Sequence, residues 1–125
     1  MIFDTSALSA YADGDAVVIE RAQRAAVIAI PVIVLGEYLF GIAQSRQSVG
    51  YKRWIDGFLT ASRTLAVDTE TAGIYAQVRL ELKSGGRPIP SNDLWIAALC
   101  RQYNLPLLSR NRHFDIVKGL CRISW

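Results

Sequence analysis

Short, unbroken apolar runs alternate along this chain with longer stretches whose apolar residues recur every three or four positions. Runs of four or so apolar residues suit strands of a parallel sheet buried on both faces. The three-to-four spacing marks a helix with one face turned to the core. The runs predict strands at 1–4, 27–30, 64–67 and 106–109, with a last one at 120–123. Helices are expected over 7–11, 16–24, 31–47, 51–61, 70–83 and 92–103, with one helical turn at 113–117. Leu35, Leu39 and Ile42 form one such stripe, and Ile74, Val78 and Leu82 another. Pro31 belongs in the first turn of its helix, where its missing N–H costs nothing. Asp68 or Thr69 and then Ser91 are the expected caps, and Ser84-Gly85-Gly86-Arg87-Pro88 is a stop and a loop. Strands alternating with helices predict an α/β fold with a mostly parallel central sheet flanked by helices. No repeat or linker divides the chain, so residues 1–125 are expected to form one domain.

Composition agrees. The chain is 51% hydrophobic and 20% charged, which supplies a real core and argues against disorder. The longest apolar run, Val27 to Gly36, is too short for a membrane span. No secretory leader is visible ahead of the first strand. Cys100 and Cys121 have no zinc spacing and read as buried small hydrophobes of a reducing compartment. A cytoplasmic protein is expected. The net charge of +3 is mild. Its distribution says more, because Arg101, Arg110, Arg112, Lys118 and Arg122 face only Asp115 near the end of the chain. That segment is either a surface for a polyanion or an ordinary solvated face.

Three acids stand where chemistry is expected. Asp4 ends the first strand, and ligands of open parallel sheets bind outside the carboxyl ends of strands. It serves there as a helix cap or as a metal ligand. Glu37 has Ile33, Val34, Phe40 and Gly41 as helical neighbours, so it needs a basic partner, a proton or a metal. Asp93 opens a helix whose continuation, Leu94 to Leu99, reads as core. The helix dipole alone explains an acid in that turn, but so buried a helix brings Asp93 toward Asp4. The polar segment Ser109 to Asp115 follows another strand. His113, the single histidine, reads as a packing or hydrogen-bonding residue. Oxygen-rich clusters suit Mg²⁺ or Mn²⁺ rather than zinc, and such ions promote phosphoryl transfer. Gly-x-Ser-x-Gly elbows, Gly-rich phosphate loops and a Cys–His neighbour are all missing. A phosphatase acting on small phosphate esters also uses an Asp after its first strand. It needs a second acid two residues on, where Ser6 stands here.

The pieces Ile2-Phe3-Asp4-Thr5-Ser6, Gly36-Glu37-Tyr38-Leu39-Phe40-Gly41, Pro88 to Ala98 and Leu108 to Phe114 together resemble the PIN-domain nucleases. The resemblance is greatest to the VapC-type toxins of bacterial toxin–antitoxin pairs, and it runs the length of the chain in order. It implies a three-layer PIN-like sandwich and a Mg²⁺- or Mn²⁺-dependent endoribonuclease. By position it makes Asp4, Glu37 and Asp93 the three core acids and metal ligands. The family often has a fourth acid after the fourth strand. The matching stretch holds Asn111 and His113, with Asp115 just beyond, so Asn111 or Asp115 takes that role. Thr5, Ser6 and Ser109 are expected to bond carboxylates or phosphate, and Arg110 and Arg112 to neutralise phosphates. The resemblance also implies a transfer or ribosomal RNA substrate, a small cognate antitoxin and a homodimer. The alternative is a catalytically weak or inactive PIN domain that binds RNA or a protein partner.

Overall fold

The computed structural model describes residues 1–125. Five strands, β1 (Ile2–Phe3), β2 (Ala29–Pro31), β3 (Arg63–Leu65), β4 (Leu107–Leu108) and β5 (Arg122–Ile123), form one sheet in the order β3-β2-β1-β4-β5. Every pairing is parallel, with Ile2 opposite Ala29 on one side and Leu107 on the other. Six helices separate them: α1 (Thr5–Ala12), α2 (Ala16–Gln23), α3 (Val32–Ala43), α4 (Ser48–Ala61), α5 (Thr69–Ser84) and α6 (Ser91–Tyr103). A 3₁₀ turn spans Arg112–Ile116.

Successive residues of a strand point to opposite faces of the sheet. Ile2, Phe3, Leu107 and Leu108 are all fully buried, so both faces are covered and the protein has three layers. The strand order carries a functional consequence. The chain builds outward from β1 through β2 to β3, then returns to place β4 on the other side of β1. The crevice at the carboxyl ends of β1 and β4 is therefore the topological switch point, where α/β sheets bind ligands.

The expected elements are all present, with shifted ends. The strands are shorter than the apolar runs, although flanking residues such as Met1 and Cys121 still accept backbone bonds from the neighbouring strand. Pro31 is the last residue of β2 and the cap of α3, with extended backbone at φ −57°, ψ 139°, rather than a first-turn residue. Its helix stops at Ala43 instead of Gln47, and α4 begins earlier, at Ser48. Ser91 is not a cap either. Pro90 occupies that position without a side-chain bond, and Ser91 is the first helical residue. Asp68 does cap α5, accepting from the Thr71 amide at 3.0 Å while Thr71 Oγ1 answers the Asp68 amide. Asn104, at φ 52°, ends α6 in the left-handed conformation that Asn tolerates. The cysteines divide. Cys100 is buried as expected, and burial pushes its thiol up to about 12. Cys121 is exposed, because the segment leading into edge strand β5 lies at the surface. No helix is long and apolar enough to cross a membrane.

Candidate active site

At the switch point lies a cleft of about 360 Å³ lined by Asp4, Thr5, Ser6, Ser9, Glu37, Asp93, Ile96 and Asn111. Four separate elements deliver its polar groups. Asp4 follows β1, Glu37 sits in the second turn of α3, Asp93 in the first turn of α6, and Asn111 in the segment after β4.

Asp4 is almost wholly buried, with 3% exposure, so its charge must be met by donors. It is met three times. The Ala7 amide and Ser6 Oγ each donate to Oδ1 at 2.8 Å, and Ser109 Oγ donates to Oδ2 at 2.5 Å. The cap and the site acid are thus one residue. Oδ1 closes the first turn of α1, while Asp4 also forms part of the cleft wall. Ser109 is itself fully buried and accepts the Asn111 amide at 3.0 Å, which ties the fourth element to the first.

Glu37 is half-buried rather than set in an apolar face; Phe40, one of its helical neighbours, is 68% exposed. No basic residue pairs with it. Thr5 Oγ1 donates to its Oε2 at 2.6 Å, and Asn92 Nδ2 donates to its Oε1. Asp93 faces His113, whose Nε2 stands 2.8 Å from Oδ2. Burial holds the Asp93 carboxyl above its usual range, and the charges of Asp4 and Glu37 push the same way. His113 opposes both.

Such crowding of like charges is what a bound cation relieves. As the side chains stand, no three acidic, histidine or cysteine groups converge closely enough to ligate one ion. Two of the three carboxylates are instead turned to hydroxyl and amide donors, and the third to His113. The donor set still fits a hard divalent cation, since carboxylate, amide and hydroxyl oxygens are the ligands such ions take.

The PIN-domain family model matches residues 1–120. This chain belongs to the PIN-domain family. One relative of this PIN domain is the tRNA(fMet)-specific endonuclease VapC of Shigella flexneri, 31% identical over 77% of this chain and 74% of that protein. Another is ribonuclease VapC5 of Mycobacterium tuberculosis, 35% identical over 48% of this chain; the match spans only 44% of that relative's length. Among solved structures, VapBC2 from Rickettsia felis, bound to a DNA fragment from their promoter, superposes with a TM-score of 0.89 at 25% identity. That superposition covers 100% of this chain and 99% of the other.

The expected site residues divide in this PIN domain. Asp4, Thr5, Ser6, Glu37, Asp93 and Asn111 share the cleft, and Ser109 lies beneath it. Asp115 does not line it. Its exposed carboxylate is held by the Arg122 guanidinium at 2.7 and 3.0 Å, which keeps it below the usual range. Arg110 lies 4.8 Å above the Trp125 ring and 3.8 Å from Asp15, while Arg112 is exposed without an ion pair. The basic C-terminal segment is thus mostly neutralised, with Arg101 paired to Glu81 as well. Two contacts escaped the sequence reading, Asn92 on Glu37 and His113 on Asp93. The acids' spacing in sequence carries no trace of either.

Proposed function

We propose that this PIN domain is a divalent-metal-dependent endoribonuclease and the toxin of a toxin–antitoxin pair. One observation carries the reading. Three carboxylates and Asn111, from four elements spread over most of the chain, line one cleft at the switch point of the sheet. Asp4, Glu37 and Asp93 would hold Mg²⁺ or Mn²⁺, and Asn111 would supply a further oxygen. The ion, when bound, neutralises phosphate charge and activates water for in-line attack on the RNA phosphodiester.

The chain's own groups prepare that site. Ser6, the Ala7 amide and Ser109 fix the Asp4 carboxylate. Thr5 and Asn92 clamp both oxygens of Glu37 and set its plane. His113 faces Asp93 and opposes the burial and the neighbouring charges that raise its carboxyl. Such supporting partners are worth roughly 10–100-fold in metal affinity or activity. Arg112, which has no acidic partner, lies on the same connection as Asn111 and is free to meet a phosphate of the strand.

The VapC relatives named as ribonucleases support this activity. The likeness to VapBC2 supports a small antitoxin as partner. Residues 1–125 act as a single PIN domain, working in the cytoplasm as a homodimer on transfer or ribosomal RNA. Purified protein is expected to cut RNA with Mn²⁺ or Mg²⁺ and to stop on addition of EDTA. Undiminished cleavage by Asp4→Asn or Asp93→Asn would sink the assignment.

A further inference from the structure

Most cations outside the C-terminal segment are either spent on acids or scattered, with one exception. Tyr75, Arg79 and Lys83 are spaced by four along α5, and Arg87 follows four residues later in the loop. Four-residue spacing keeps side chains on one helix face. Arg79, Lys83 and Arg87 are exposed, and none has an acid within salt-bridge distance. The nearest acid in sequence, Glu81, is engaged by Arg101 at 3.0 Å.

The stripe borders a groove of about 290 Å³ lined by Arg79, Leu82, Lys83, Pro88, Ile89, Ser91 and Leu94. One end of that groove is the first turn of α6. Tyr75 Oη lies 3.4 Å from Ser91 Oγ, and the Tyr75 and Trp95 rings stack at 4.0 Å. Ser91 is followed directly by Asn92, which bonds Glu37, and by Asp93 of the acidic cleft. The first turn of α6 therefore borders both the groove, through Ser91 and Leu94, and the candidate active site, through Asp93. From Tyr75 to Lys83 the stripe runs about 12 Å along the helix.

The helix dipole accounts for a cation in the last turn, and so for Lys83. It does not account for Arg79. That guanidinium donates to Tyr75 Oη at 3.1 Å and lies 6.0 Å from the ring centroid, so it is held in place with donors to spare. A fixed guanidinium beside a mobile ammonium, both unpaired, is the equipment for consecutive phosphates of a strand.

We propose that the α5 stripe of Arg79 and Lys83, with Arg87 beyond it, binds the RNA backbone on one side of the scissile phosphate. This rests on the ribonuclease reading above. It makes all three residues positioning groups, which hold the strand without touching the reacting atoms. The groove reads phosphate and not sequence, because its cations are placed for the backbone.

The test is binding of a fluorescently labelled single-stranded RNA by anisotropy over a range of salt concentrations. Asp4→Asn serves as the non-cutting background. Each phosphate contact on a single strand contributes about 0.7 to the slope of log K against log salt. Arg79→Gln/Lys83→Gln is expected to lower that slope by about 1.4 and weaken binding roughly tenfold at low salt. Arg79→Lys/Lys83→Arg keeps the charges and should keep most of the slope. Arg46→Gln/Arg53→Gln removes two other unpaired cations and should leave it nearly intact.

An unchanged slope in Arg79→Gln/Lys83→Gln, with cleavage by the parent protein intact, overturns the groove and leaves the nuclease standing. Equal losses in the Arg46/Arg53 variant overturn it too, since net charge alone would then suffice. A parent protein that neither binds nor cuts RNA overturns both. Circular dichroism of each variant separates loss of contact from loss of fold.

Discussion

Replacing Ser109 by alanine removes one hydroxyl at a fully buried position. That hydroxyl donates to Asp4 Oδ2 at 2.5 Å and accepts the Asn111 amide at 3.0 Å. Alanine leaves the rest of the residue's bonding in place, since its backbone amide still meets Ile123 and its carbonyl still accepts Arg122. What is lost is a hydrogen bond to a buried charge, worth about 1.5–3 kcal/mol, together with the acceptor of the Asn111 amide. A loss of about 2 kcal/mol corresponds to a fall in Tm of roughly 6–12 °C in a chain of this size. Asp4 would keep two donors on Oδ1 and none on Oδ2, so its plane would loosen. Cleavage is expected to fall by roughly 10–100-fold, as for other groups that support a metal ligand. Thermal unfolding followed by circular dichroism gives the first number, and cleavage of a defined RNA gives the second. A double-mutant cycle with Asp4→Asn should show coupling of about 0.5–3 kcal/mol. An unchanged Tm, or additivity within about 0.3 kcal/mol, would refute the claim that Ser109 holds this carboxylate.

Asp93→Asn should abolish cleavage yet raise stability at neutral pH. Burial and the charges of Asp4 and Glu37 raise the folded carboxyl above its unfolded value, so its ionised form destabilises the fold. That cost is present above the raised folded pKa and gone below the unfolded one, so the gain in Tm should vanish in acid; a gain independent of pH refutes it. Asp68→Ala should show the opposite sign. The Thr71 amide and hydroxyl lower the folded carboxyl of Asp68, so its contribution is present at neutral pH and lost as pH falls through that lowered value. The Tm difference from wild type should therefore shrink in acid. Asp115→Asn should leave cleavage unchanged, because Arg122 holds that carboxylate outside the cleft, whereas Asn111→Ala should slow it. Initial rates on one RNA decide between the two.

The architecture was legible because it rests on burial. Runs such as Ile2-Phe3 and Leu107-Leu108 can be that apolar only where both sheet faces are covered. Helix ends were less legible. Pro31 and Ser91 both carry ordinary helix-start signals, yet each sits one place away from the role expected. Neither α3 nor α6 has a side-chain cap bond to fix its frame, and Ser91 Oγ faces Tyr75 Oη of α5 instead. The three acids could be read from their settings, each beside apolar sequence at the start or flank of a helix. Their partners were legible only in part. The resemblance pointed to Thr5, Ser6 and Ser109 as groups for carboxylates or phosphate, but Asn92 reaches Glu37 across 55 positions, and such a contact exists only once the sheet is assembled. The same holds for charge. Counting along the chain made the C-terminal segment look basic, while folding pairs Arg101 with Glu81 and Arg110 with Asp15 and leaves the α5 stripe as the unpaired cluster.

The central claim is that Asp4, Glu37 and Asp93 act as one cation site. Calorimetric titration of the purified protein with Mn²⁺ tests it without reference to any RNA. Saturable binding is predicted for the wild-type chain and for Asp115→Asn, with loss in each of Asp4→Asn, Glu37→Gln and Asp93→Asn. A wild-type protein that binds no Mn²⁺, or binding that survives in all three variants, would contradict it.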